Sequence, residues 1–204
     1  MGNEEQILEA SRNGEIQVFK QLLEQSDSIN INCTDKQKRT PLQLALMNGH
    51  TMIAETLIEK PQIKLNHQDC KGHTPVHTAI IYGHPAIAEK MFNKGGFKPN
   101  TRDTQGRTIL HTALINGYYD LVIDILALPD VEVNHKAEEG CTALHLAAGK
   151  GEYYVVEALL KMPEIDLSIK DKSGDTPRRL AKNQGKDRVA KLIQEHEKSV
   201  CNVM

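Results

Sequence analysis

Three histidines are the first residues in this sequence to invite a chemical reading. His77, His111 and His145 recur at one constant interval, 111 − 77 = 145 − 111 = 34, and clustered imidazoles are a common way to hold zinc. The spacing argues against it. A residue that recurs once per structural copy lies one copy away from its equivalent, about 10 Å for packed helices. Zinc needs its ligands at roughly 2.0–2.3 Å, so no single ion is held by all three. The four cysteines, Cys33, Cys70, Cys141 and Cys201, form no C-x-x-C pair and fall at different registers. That pattern fits reduced cytosolic thiols. No nucleophile elbow, phosphate-cradling glycine loop or H-E-x-x-H motif occurs, and Asp and Glu are scattered along solvated helix faces. The expectation is a non-enzymatic protein with no metal and no cofactor. A thiol enzyme using Cys70, Cys141 or Cys201 is the rival, recognisable by a reactive thiol and turnover.

The elements that carry the histidines are legible in the stretch Gly72 to His84, G-H-T-P-V-H-T-A-I-I-Y-G-H. Thr74 supplies an N-cap hydroxyl before Pro75, whose fixed φ suits the first helical turn. Gly83 ends the helix where a left-handed residue is needed. The same pattern returns at Thr40, Thr74, Thr108, Thr142 and Thr176, at Ala45, Ala79, Ala113, Ala147 and Ala181, and at the glycines from Gly49 to Gly185, always at the histidine interval. A register held over five copies is an internal repeat.

Each copy reads as an extended turn, a short helix, a second helix and a linker with two alternating apolar residues. Pro61, Pro129 and Pro163 stop second helices at one register. Neither helix can bury its apolar side alone, so neighbouring copies must stack. The predicted fold is all-α, a solenoid of stacked helix-turn-helix pairs with extended turn fingers. One domain is expected over residues 1–195: a degenerate cap at 4–31, copies at about 32–65, 66–99, 100–133, 134–167 and 168–195, then a flexible tail at 196–204. Hydrophobic residues make up 39% of the chain and aromatics only 4%, with no Trp. That implies a close-packed Leu, Ile, Val and Ala core. A formal net charge of −2 gives no reason to expect nucleic acid, and no apolar run approaches the ~18 residues of a membrane-spanning helix.

T-P-V-H-T-A-I-I-Y-G-H and T-A-L-H-L-A-A-G-K-G resemble the signature of the ankyrin repeat, over roughly residues 4–195. The resemblance implies the same architecture, histidines that hydrogen-bond turn backbone, and partner binding through turn tips and the concave face. The departures are specific. Lys38 replaces the turn glycine of Gly72, Gly106, Gly140 and Gly174, Ala137 replaces the turn aspartate, and the motif His becomes Gln43 in the first regular copy and Arg179 in the last. Arg178 and Arg179 give the final copy the polar character of a C-terminal cap.

Carried onto this sequence, the binding positions include an apolar stripe of Met47, Ile81, Tyr82 and Ile115. Lys36, Arg39, Lys71, His73, Arg107 and Asn116 complete the expected partner-binding set, with a basic rim that reverses sign at Glu138 and Glu139. An aligned apolar patch with a polar rim marks an interface; the alternative is that these side chains tuck between copies. The expected partner is a protein with an acidic, partly apolar segment, Tyr82 and Arg39 being the anchors, and the chain itself is expected to be a monomer. Tyr118-Tyr119 and Tyr153-Tyr154 read as packing or rim residues. The linker asparagines Asn66, Asn100 and Asn134 read as turn caps, at positions where ankyrin repeats can be hydroxylated.

The chain finishes Cys201-Asn202-Val203-Met204, which resembles a C-a-a-X prenylation box apart from Asn202. Prenylation of Cys201 would make the protein a membrane-tethered adaptor or inhibitor, cytoplasmic and peripheral on the cytosolic face of a membrane. One lipid chain gives only reversible attachment, and near the tail Arg188, Lys191 and Lys198 are offset by Asp187, Glu195 and Glu197. Met1-Gly2 is a poor myristoylation site because position six is Gln6. A purely soluble cytosolic or nuclear regulator, and a bacterial protein that acts inside a eukaryotic host, are the other readings.

Overall fold

Capped short helices, paired and repeated, make up the observed architecture. It was determined as a computed structural model that describes residues 2–25 and 29–201. The C-a-a-X-like box lies outside the described residues except for the backbone of Cys201, and so does Met1 of the N-terminal motif. Among the described residues the secondary structure is helical, without strands. Contacts group into two compact units, residues 1–104 and 105–204.

The first unit holds α1 (Asn3–Asn13), α2 (Ile16–Gln25), α3 (Pro41–Met47), α4 (Thr51–Glu59), α5 (Pro75–Ile81) and α6 (Pro85–Lys94). The helices pair as α1 with α2, α3 with α4 and α5 with α6. Between pairs, α1 packs on α3 and α3 on α5, while α2 packs on α4 and α4 on α6. The second unit repeats this scheme with α7 (Ile109–Asn116), α8 (Tyr119–Leu126), α9 (Ala143–Lys150), α10 (Tyr153–Leu160), α11 (Pro177–Asn183) and α12 (Asp187–Cys201). A short turn, Glu138–Gly140, precedes α9.

The first helices of the regular copies are only seven or eight residues long, too short to hold together by propensity. Capping and burial compensate. Thr40, Thr74, Thr142 and Thr176 each accept a hydrogen bond from the backbone N–H three residues on, worth about 1 kcal/mol each. Pro41, Pro75 and Pro177 occupy the first helical position. All of Pro41–Leu46 and Pro75–Ile80 is buried, so these helices are apolar nearly all round and take their stability from both neighbouring pairs. Burial of Leu42, Leu44, Leu46 and Leu57 contributes roughly 1.5–3 kcal/mol each.

Asn66 and Asn134 differ from the expectation, and Asn32 behaves as they do. They do not cap their own turns but cross to the next linker. Asn32 Nδ2 donates to the Gln62 carbonyl (2.9 Å) and its Oδ1 accepts from Lys64 N–H (2.8 Å). Asn66 makes the same pair of bonds with Gly96 and Lys98, at 2.8 and 2.7 Å, and Asn134 does so with Glu164 and Asp166. A side-chain amide has one acceptor and two donors, enough to join two linkers that lack a backbone ladder of their own.

Candidate functional site

The turn fingers position several of the expected binding residues, and three of the fingers are built around an aspartate. Asp35 Oδ1 accepts from the backbone N–H of Gln37 and Arg39, both at 2.9 Å. Asp69 does the same for Lys71 and His73, and Asp171 for Ser173 and Asp175. Adjacent fingers are joined by one backbone bond each, Cys70 N–H to the Gln37 carbonyl and Thr104 N–H to the Lys71 carbonyl in the first unit. Close approach makes glycine necessary at Gly72. Its φ is +75°, and a Cβ there would lie 2.9 Å from the Asp103 Cα and the Thr104 nitrogen.

Arg39 is held by its own finger. Its Nε and Nη2 donate to Asp35 Oδ2 at 2.8 and 2.6 Å, and Nη2 also to Gln37 Oε1 at 2.7 Å. Burial would raise the Asp35 carboxyl, but the hydrogen bonds from Arg39 and the finger N–H groups outweigh it and hold the group below its ordinary value. The guanidinium is therefore rigid and largely neutralised, so its positive field is weaker than its sequence position implies. Its other edge reaches Met47, with Nη1 4.0 Å from the sulfur.

Five of the expected residues, Arg39, Met47, Lys71, His73 and Tyr82, converge on one cavity of about 110 Å³ in the first unit. Asp69, Cys70 and Thr78 complete it together with Gln37. Sequence reading did not offer Asp69 or Thr78 as lining residues; Asp69 organises its turn, and Thr78 Oγ1 donates to the Thr74 carbonyl one helical turn back at 3.1 Å. His73 stands between two carboxylates, its Nδ1 3.6 Å from Asp69 Oδ2 and its Nε2 3.7 Å from Asp103 Oδ2. Tyr82 is 42% exposed, while Met47 and Ile81 are half-buried, and Ile81 does not line the cavity. Exposed Lys36 lies instead on a separate groove with Glu5, Glu9 and Arg12. In the second unit Arg107 is half-buried, Ile115 is 41% exposed and its carbonyl accepts from Lys150 Nζ at 3.0 Å. Asn116 is exposed, and its side chain folds back onto the Thr112 carbonyl at 2.8 Å.

The motif histidines are structural. His145 is fully buried; its Nδ1 accepts from Thr142 N–H (3.2 Å), and its Nε2 meets the Asp175 carbonyl of the next finger at 3.0 Å. Burial pushes its pKa below the ordinary value, against the opposing pull of that carbonyl. Gln43 reproduces the arrangement in the first regular copy: Oε1 accepts from Thr40 N–H (3.1 Å) and Nε2 donates to the His73 carbonyl (2.7 Å). Among the described residues no group of three or more metal-ligating side chains is gathered. Burial raises the Cys33 thiol to about 11 and also raises Cys141. Both therefore stay protonated at neutral pH, unlike a nucleophilic thiolate.

Comparison with known proteins agrees with this geometry. A family model described as ankyrin repeats (3 copies) matches residues 7–103, 63–136, 90–171 and 110–203. Short transient receptor potential channel 3 of Homo sapiens and of Rattus norvegicus is 40% identical over 57 residues, which are 28% of this chain and only 6% of the channel. Among solved structures, EF0377, an ankyrin-repeat protein, superimposes with a TM-score of 0.83 at 26% identity, over 95% of this chain and 98% of that one. A chain from the complex of a predatory endopeptidase of Bdellovibrio bacteriovorus with an immunity protein gives 0.76 at 26% identity, over 93% and 97%. Matched from residue 7 to residue 203 and built from capped, stacked helix pairs, the chain belongs to the ankyrin-repeat family and is a protein-interaction module.

Proposed function

We propose that the cavity between the first two regular copies seats one apolar side chain of a protein partner, with an acidic residue of the same segment beside Lys71. The convergence of Arg39, Met47, Lys71, His73 and Tyr82 carries this reading. Size supports a side-chain seat, because about 110 Å³ is well short of the roughly 300–1,000 Å³ of a small-molecule site. Rigidity supports it as well: Arg39 is fixed by Asp35 before any partner arrives, which lowers the ordering cost of binding. Tyr82 is the anchor, and Lys71 supplies charge that Arg39 largely does not.

The test is a peptide array probed with the full chain, comparing acidic-apolar peptides with basic and with purely polar ones. Tyr82→Ala should weaken the selected peptides about 30-fold, the effect of an anchor worth about 2 kcal/mol, and Lys71→Glu should weaken acidic ones selectively. No preference for acidic-apolar peptides, or equal binding by both variants, would place the partner elsewhere.

On this reading the protein acts by occupying another protein's surface, as an adaptor or inhibitor tethered at the cytosolic face of a membrane through prenylated Cys201. Membership of one structural neighbour in an endopeptidase–immunity protein complex supports the occupying role. The tether rests on the C-terminal motif alone. Equal membrane fractions for wild type and Cys201→Ser in a eukaryotic cell would remove it and leave the soluble regulator.

A further inference from the structure

The last copy breaks the apolar pattern of the copy before it. Its first helix carries Arg178 and Lys182 at the registers of Leu144 and Ala148, and its second helix carries Gln194 at the register of Leu160. Those three earlier residues are buried, whereas Arg178, Lys182 and Gln194 are exposed. A terminal copy must be polar to stay soluble, but nothing in that requirement selects a sign. Here the sign is selected. Residues 177–201 carry seven cations against three carboxylates, a net of +4 in a chain whose total is −2.

The packing of α11 on α12 collects four of these cations, Arg178, Arg179, Lys182 and Lys191, around one open groove of about 440 Å³, with Asp187 the only carboxylate among its lining residues. Counted along α12 alone, Lys191 is offset by nearby acids; the three cations of α11 are what tip the balance. Arg178 pairs with Glu197 at 3.2 Å, Arg179 with Asp175, and Lys191 with Glu195 at 3.8 Å. Among the described residues no carboxylate lies within ion-pair distance of Lys182 or Lys186. The Arg178 and Lys191 pairs are solvent-exposed, so they are weak and exchange readily for another anion, whereas Asp175 is largely buried beside Arg179.

We infer that this end face docks on a membrane surface by binding anionic lipid headgroups. The groove lacks the desolvated apolar centre that a protein hot spot needs, since Ala190 is the only apolar residue lining it. Headgroups need only clustered Lys and Arg. Position supports the same occupant: α12 runs on from Gln194 to Cys201, seven residues or about 10 Å further along the helix. The face would thus be the second signal that a single lipid chain requires. That pairing rests on the lipid reading above, whereas the attraction of the face itself does not.

The experiment therefore uses the full chain carrying Cys201→Ser, which cannot be prenylated at that site, sedimented with phosphatidylcholine vesicles with and without phosphatidylserine. Binding is expected only to the phosphatidylserine vesicles, falling steeply with added salt. The variant R178Q/R179Q/K182Q/K191Q should bind about tenfold more weakly, while K36Q/K71Q in the first unit binds like the parent. Should the fourfold variant melt early, Lys182→Glu alone gives the same test at one exposed side chain. No binding to phosphatidylserine vesicles, equal binding to phosphatidylcholine, or an unchanged fourfold variant would overturn the proposal. Binding to polyglutamate without binding to vesicles would overturn it in favour of an acidic protein. Mass measurement of the C-terminal peptide from cells reports the lipid separately, so failure of one reading is not mistaken for failure of the other.

Discussion

The first and fourth fingers break the turn motif in opposite ways. Finger one keeps the aspartate and puts Lys38 where glycine belongs; finger four keeps Gly140 and puts Ala137 where the aspartate belongs. In the first, Asp35 still collects two N–H groups, and Lys38 adopts the left-handed conformation at φ +58°. In the fourth Ala137 offers no carboxylate to organise the turn, and Glu139 and Gly140 are both left-handed, at +64° and +72°. Both nevertheless keep the backbone bond to a neighbouring finger, Gln37 carbonyl to Cys70 N–H and Gln105 carbonyl to Glu138 N–H. The inter-finger backbone bond is thus the constant, and the side chains are alternative means of reaching it. Their chemistry differs: one finger ends in a pinned arginine, the other in two exposed glutamates.

If close approach of fingers is what makes glycine necessary, Gly72→Ala should be the most damaging change. It adds a Cβ against backbone at 2.9 Å as well as left-handed strain, and should lower stability by about 3 kcal/mol in denaturant titration. Asp35→Ala should follow at about 2 kcal/mol, because it strips the acceptor from two finger N–H groups and from Arg39. The same residue has a pH signature. With its folded pKa below the unfolded 3.8, Asp35 contributes stability above pH 3.8, lost as pH falls through the folded value. Asp35→Asn should flatten that acid limb.

His145→Gln imitates Gln43 and should change stability at neutral pH by less than about 1 kcal/mol. Its effect lies in pH dependence. The folded pKa of His145 is depressed below 6.5, so the unfolded chain takes up a proton that the folded chain refuses, and stability falls as pH drops below 6.5. Melting between about pH 7 and pH 5 should be less pH-dependent in the variant. Smallest of all, Lys38→Gly removes left-handed strain of about 1–2 kcal/mol but adds about 0.5–1 kcal/mol of chain entropy on unfolding. The difference, a net gain of about 0.5 kcal/mol, should appear as a slightly raised melting temperature.

Much of the fold was legible because its determinants are local. A threonine cap, a proline in the first turn and a glycine stop are properties of neighbouring residues, and repetition at a fixed interval multiplies the signal. The role of the motif histidine followed from the family resemblance, but that Gln43 takes it over in the first regular copy became visible only in its bonds to Thr40 and His73. The lining of the cavity was half legible. Register placed Arg39, Met47, Lys71, His73 and Tyr82 on the same side of their copies, but register carries no distances, so it could not separate Ile81 and Lys36 from the cavity or reveal Asp69 and Thr78 in it.

The repeat, its helices and their caps follow from the order of the residues alone, because each depends on backbone conformation and short-range hydrogen bonding. The fate of charges and of side-chain amides emerged only once the chain was folded. Arg39 reads as a free cation until Asp35 is seen to hold it at 2.6 Å. Asn66 reads as a turn cap until its amide is found on Gly96 and Lys98, in the next linker. Lys191 reads as offset until packing sets it with the cations of α11 around one groove. Electrostatic and hydrogen-bond partners are chosen by distance in space, and in a stacked repeat the nearest partner in space is commonly one whole copy away in sequence.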